Sequence, residues 1–217
     1  MSKYKLAVFD LDGTLLNTYA GVRAGILYLV DYYHLNPLTE EQMQSFVGPP
    51  VYKSLMRHYG VEEEEAKRMQ DVFRSYYATE GLYQAEVYEG LLETIEALHD
   101  RGIKTSVATY KREDMAKDVL NHFGVAEHLD GIFGSDEANT RTKSDIIRLS
   151  IADAGITDYS EALMIGDTDN DALGAMEIGV PFLAVGYGFG FHEKKDLVGM
   201  DHIGLAMTPQ DILAYME

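Results

Sequence analysis

Leu6, Ala7, Val8 and Phe9 form an unbroken apolar run that predicts a short buried strand, and it leads directly into Asp10-Leu11-Asp12-Gly13-Thr14. Gly13 permits a tight turn at that point. Beyond Thr14 the apolar positions take a helical spacing. Val22, Ile26, Leu29, Val30 and Tyr33 predict a helix started by Asn17 or Thr18. Thr39 and Gln42 fit a capping box that opens a second helix, which is expected to stop near Gly48-Pro49-Pro50. A short helix from Val51 to Tyr59 should end at Gly60. A longer one follows, with Ala66, Met69, Phe73, Tyr76 and Tyr77 inward, and ends near Gly81. With no strand pattern between Asn17 and Gln84, residues 17–84 read as a helical domain inserted after the first strand. Residues 1–16 and 85–217 read as the core domain.

From Val87 onward, helix and strand alternate. Helical patterns start at Leu91, Met115, Lys143 and Asn170, and Gly102, Gly124 and Gly155 close the first three. Apolar strands are expected at Ile103 to Ala108, Gly131 to Gly134, Ala162 to Ile165 and Pro181 to Val185, with an edge strand within His202 to Met207. Thr208 as cap and Pro209 at the first helical position begin the last helix. This alternation predicts the α/β class: a Rossmann-like parallel sheet with helices on both faces, plus the inserted α-helical cap domain.

Composition narrows the functional classes. The formal net charge of −18 over 217 residues repels phosphate backbones, so nucleic acid is not expected as a partner. Such a charge does not exclude a small phosphorylated metabolite, because a bound cation reverses the field within one cleft. No apolar run is long enough to span a membrane, and Asp10 interrupts the N-terminal one, so no membrane association and a cytoplasmic location are expected. The chain has no cysteine, hence no disulfide framework or thiolate metal site, and its histidines lack zinc-like spacing.

The predicted strands end in chemistry-bearing residues: Asp10 and Asp12 after the first, Thr109 after the second, and Asp167 after Leu163-Met164-Ile165-Gly166. Asp171 follows Asp167 by four residues, and Lys143 opens a helix. In a parallel sheet these ends converge on one crevice. Two carboxylates about 4 Å apart repel by roughly 4 kcal/mol at an effective dielectric of ~20. A positive group between them is therefore expected. Mg2+ suits the set, held by the Asp10 and Asp167 carboxylates and the Asp12 carbonyl. Lys143 would offset the remaining negative charge and Thr109 would donate to a phosphoryl oxygen. The combination suits phosphoryl transfer, with an aspartate as nucleophile and a second acid exchanging protons.

Asp10-Leu11-Asp12-Gly13-Thr14, Thr109, Lys143 and Gly166-Asp167-Thr168-Asp169-Asn170-Asp171 resemble, in order, the four motifs of the haloacid dehalogenase-like hydrolase superfamily. The inserted helices resemble its type-one cap. The resemblance implies that Asp10 is the nucleophile and Asp12 the general acid/base. It implies that Thr109 and Lys143 hold the phosphoryl group, that Asp10, Asp12 and Asp167 bind Mg2+, and that Asp171 supports the metal or the lysine. An acid at Asp12 resembles the phosphatases and mutases of the family, not its dehalogenases.

Val47-Gly48-Pro49-Pro50 and Lys111 resemble the phosphoglycolate phosphatase-like branch. Gly13, Thr14, Tyr110, Lys111, Gly48, Pro49 and Lys53 are accordingly candidate substrate-binding residues, with Arg23 and Arg57 as further cations for a distal anion. The resemblance implies Mg2+-dependent hydrolysis of a small phosphate monoester through an aspartyl-phosphate intermediate. The alternatives are a sugar phosphomutase reaction and, behind it, a phospho-accepting signalling role, and a monomer or homodimer is expected. Gly186-Tyr187-Gly188-Phe189-Gly190 opens no clear helix, so a flexible loop flanking the crevice is expected there rather than a dinucleotide fingerprint.

Overall fold

The computed structural model describes residues 2–216. Strand β1 (Leu6–Phe9) is followed by the short β2 (Leu16–Asn17) and then by helices α1 (Tyr19–Tyr32), α2 (Glu40–Gln44), α3 (Val51–Tyr59) and α4 (Glu63–Tyr76). A π-helical turn, Tyr77–Gly81, leads to β3 (Glu86–Val87), which pairs with β2. The remaining elements are α5 (Leu91–Asp100), β4 (Lys104–Arg112), α6 (Glu113–His122), β5 (Gly131–Ser135), α7 (Lys143–Asp153), β6 (Ala162–Gly166), α8 (Asp169–Glu177), β7 (Phe182–Val185), β8 (Gly204–Ala206) and α9 (Ile212–Tyr215). No helix among the described residues is long and apolar enough to cross a membrane.

Two compact units result, one of residues 17–86 and one of the residues before and after them. The second holds a six-stranded sheet in the order β5-β4-β1-β6-β7-β8, with every pairing parallel. All four residues of β1 are fully buried. Leu6 and Val8 share one core with Ala108, Met164, Phe182 and, from α7 and α8, Ile146, Ile147 and Ala172. The alternate residues Ala7, Phe9, Val107, Leu163 and Ile165 are buried just as completely, so neither face of the central strands meets water. The chain builds outward from β1 on one side through β4 and β5, then returns to the other side through β6, β7 and β8. The order therefore reverses at β1, and ligands gather at the carboxyl ends of the strands flanking such a point.

In the helical unit, Thr39 caps α2 through the expected box with Gln42, at 3.2 and 2.9 Å. That helix ends at Gln44, ahead of the Gly-Pro-Pro turn expected to stop it; the Phe46 and Val47 amides bond to the carbonyls three residues back, at 3.2 and 3.0 Å. Gly60 closes α3 in the left-handed region at φ +67°. Gly25 on α1 lies against the Phe73 ring, where a methyl would stand 2.5 Å from it.

Strand β4 departs most from the sequence reading. It continues past Thr109 to Arg112, with an irregularity in its pairing with β5 between Ala108 and Arg112. The apolar pattern stops at Ala108, but the backbone pairing does not. The irregularity carries Thr109, Tyr110 and Lys111 along the sheet edge.

Candidate active site

Asp10 directly follows β1 and is held in line by its amide, which donates to the Ile165 carbonyl at 2.9 Å. Gly13 then turns at φ +86°, with its amide donating to Leu16 at 2.8 Å. The turn keeps Asp10, Asp12 and Thr14 together at the strand end, all three buried.

Lys143 enters from the first turn of α7, which Thr142 and Asp145 cap reciprocally. Its ammonium lies 2.7 Å from Asp10 Oδ1 and 2.6 Å from Asp171 Oδ1. Tyr110 steadies it from below: the hydroxyl accepts from the Lys143 amide at 3.1 Å, and the ring centroid is 5.7 Å from the ammonium. The other Asp171 oxygen, Oδ2, accepts from the Thr168 amide and hydroxyl at 3.0 and 2.9 Å, which ties the acid to the start of α8.

Asp167 ends the segment after β6 and is fully buried. Its Oδ2 accepts from the Phe189 amide at 2.7 Å, while the Thr14 hydroxyl stands 3.4 Å from Oδ1. Thr14, expected among substrate contacts, thus faces an acid. Gly13 is packed tightly here, since a methyl on it would lie 2.2 Å from Asp167 Oδ2. Asp12 takes another direction, pairing its Oδ1 with the Lys111 ammonium at 3.0 Å. Lys111, another candidate substrate contact, is nearly buried in that pair. The Thr109 hydroxyl is buried and accepts from the Lys111 amide at 3.2 Å.

Gly48, Pro49 and Lys53 belong to the helical unit. Gly48 adopts φ +96°, and Lys53 is exposed in the first turn of α3, its amide on the Pro50 carbonyl at 2.9 Å. Arg23 pairs with Glu40 on the surface of the same unit, at 3.4 Å.

Carboxylate oxygens of Asp10, Asp167 and Asp171 all lie within 4.8 Å of one another. Burial pushes the Asp10 carboxyl up to about 7, with Lys143 opposing the rise and Asp171 and Asp12 adding to it. Burial, then Asp171 and Asp10, hold Asp167 well above the usual carboxylate range. Burial disfavours the Lys143 ammonium, yet the two facing carboxylates outweigh it and raise its proton affinity. Three buried carboxyls face one lysine, burial disfavours their charge as long as no further cation is present, and the donors are all hard oxygens. Such a set fits a small divalent cation.

The glycine-rich segment after β7, expected as a flexible flank, is engaged with Asp167. Phe189 supplies the amide to its carboxylate, the Phe191 amide donates to its carbonyl at 3.0 Å, and the Tyr187 hydroxyl donates to the Thr14 carbonyl at 3.1 Å. The glycine cluster was the sequence signal, and it marks close packing here rather than freedom.

Residues 7–185 match the sequence profile of haloacid dehalogenase-like hydrolases. A 5'-nucleotidase of Pseudomonas aeruginosa is 34% identical over 193 residues, covering 88% of this chain and 87% of that one. A phosphoglycolate phosphatase of Agrobacterium fabrum is 28% identical, covering 85% and 81%. The crystal structure of a predicted phosphatase from Clostridium acetobutylicum superposes with a TM-score of 0.88 at 32% identity, covering 97% and 99%.

Proposed function

The chain belongs to the haloacid dehalogenase-like hydrolases and is a phosphoric monoester hydrolase, and from that premise we propose that it works through an aspartyl-phosphate on Asp10 and acts on a small phosphorylated metabolite. The observation that carries this reading is Asp10 itself: a buried carboxylate at the end of the central strand, 2.7 Å from the Lys143 ammonium. An Asp10 oxygen attacks phosphorus as the ester oxygen departs, and Asp12 gives that oxygen its proton. A water molecule then yields a proton to Asp12 and attacks the same phosphorus. Inorganic phosphate leaves and the Asp10 carboxylate is restored. Thr109 and Lys143 hold the phosphoryl oxygens throughout.

The acid set fits Mg2+, with the Asp10 and Asp167 carboxylates and the Asp12 carbonyl as ligands and Asp171 supporting Lys143. When bound, the ion supplies charge neutralisation for the phosphoryl group. Tyr110 positions Lys143, and Gly13 sets the turn that aims both acids. We assign substrate selection to the helical unit, with Gly48, Pro49 and Lys53 as its candidate substrate contacts. The names of the relatives support a phosphomonoester as the substrate class.

The test is a panel of phosphorylated metabolites, nucleoside monophosphates and phosphoglycolate among them, assayed for released phosphate with and without a chelator. Release should stop with chelator and return with Mg2+. It should be abolished in Asp10→Asn. Turnover of a sugar phosphate without phosphate release would instead identify a mutase. Activity indifferent to Asp10→Asn would remove the nucleophile from the scheme.

A further inference from the structure

We propose that Tyr187–Phe191 is a preformed cradle that aims the Asp167 carboxylate, making the backbone of this segment a positioning element for the cation site. The inference rests on the reading of Asp167 as a cation ligand.

Four contacts define the cradle. The Phe189 amide occupies Asp167 Oδ2 at 2.7 Å, and the Phe191 amide occupies the Asp167 carbonyl at 3.0 Å. The Tyr187 hydroxyl anchors the segment to the Thr14 carbonyl at 3.1 Å, and its ring packs edge-on against Tyr88 at 4.8 Å between centroids. These bonds fix both the backbone and one carboxylate oxygen of Asp167. An oxygen so held cannot swing, and a ligand whose rotamer is already set binds its ion more tightly than one that must be ordered first.

The glycines make this approach possible. A methyl on Gly188 would lie 2.4 Å from Asp167 Cβ, 2.6 Å from its Oδ2 and 2.4 Å from the Gly13 carbonyl oxygen. A methyl on Gly190 would lie 2.3 Å from the Asp167 carbonyl oxygen. Gly186, just outside the cradle, differs: the three atoms nearest to its methyl would be Met207 Sδ at 2.6 Å, Met207 Cε at 3.1 Å and Leu205 Cδ1 at 3.4 Å, all in flexible side chains and none in Asp167 or the backbone. The sequence therefore contains its own matched control.

The experiment measures Mn2+ binding to the metal-free protein by calorimetry and electron paramagnetic resonance, in wild type, Gly188→Ala and Gly186→Ala. Gly188→Ala should weaken Mn2+ binding by about 10–100-fold. Gly186→Ala should stay within about twofold of wild type. Equal affinity in Gly188→Ala and wild type overturns the cradle while leaving the cation reading intact. A wild type that binds no Mn2+ overturns the cation reading itself. Should Gly188→Ala fail to fold, hydrogen exchange on the wild type decides: the Phe189 amide should be protected before any metal is added. Rapid exchange that slows only with Mn2+ would show that the ion builds the segment, against the proposal.

Discussion

The Lys143 ammonium and the Asp10 carboxylate, 133 residues apart in the chain, meet at 2.7 Å with both side chains buried. Asp171 stands on the ammonium's other side at 2.6 Å, so one cation separates two acids. Lys143→Met should leave those acids facing each other. We expect kcat to fall about 10²–10³-fold, as for the loss of one preorganised charge donor. Breaking a buried pair in this way costs about 3–5 kcal/mol, and urea denaturation of the metal-free protein checks that figure.

Cation binding should depend on pH. The Asp10 carboxyl titrates near 7 because burial disfavours its charge, and Asp167 is shifted the same way. A carboxyl raised in the folded state keeps its proton there while the unfolded chain has lost its own. The metal-free fold therefore loses the Asp10 contribution to stability as pH rises from about 4 to about 7, and Asp167 acts in the same direction. Ligation requires the deprotonated form, so affinity should fall as pH drops through 7. Added Mg2+ should raise the melting temperature more at pH 8 than at pH 5.5, and equal increments would contradict the assignment.

Lys111 holds Asp12 Oδ1 at 3.0 Å, and the proposed proton exchange depends on how that side chain is aimed. Lys111→Met should release that side chain. Leaving groups that need protonation should suffer most: kcat/KM for an alkyl phosphate should fall about 10²-fold, and that for 4-nitrophenyl phosphate far less. Lys111→Arg should recover part of the difference. Parallel losses on both substrates would make Lys111 a substrate anchor instead.

Much of this site is legible in the sequence because its parts are local. Leu6–Phe9 followed by two acids and a glycine specifies a strand, its end and a turn, and the left-handed Gly13 answers to that reading. The Thr39 box and the Gly60 cap are readable for the same reason. What escaped depends on partners far away in sequence. Nothing near Lys111 announces Asp12, 99 positions earlier, and the extension of β4 past Ala108 comes from its pairing with β5. A glycine run such as Gly186–Gly190 signals freedom in isolation and permits close approach once Asp167 is alongside.

The place of β1 in the sheet has a consequence for biosynthesis. It hydrogen-bonds to β4 on one side and to β6 on the other, with Phe9 level with both Val107 and Ile165. At about 5–20 residues per second on the ribosome, its second neighbour emerges roughly 10–30 s after β1 does. Until then this apolar ribbon has an open flank, and the aspartate at its tip waits for the Ile165 carbonyl that its amide bonds in the finished sheet.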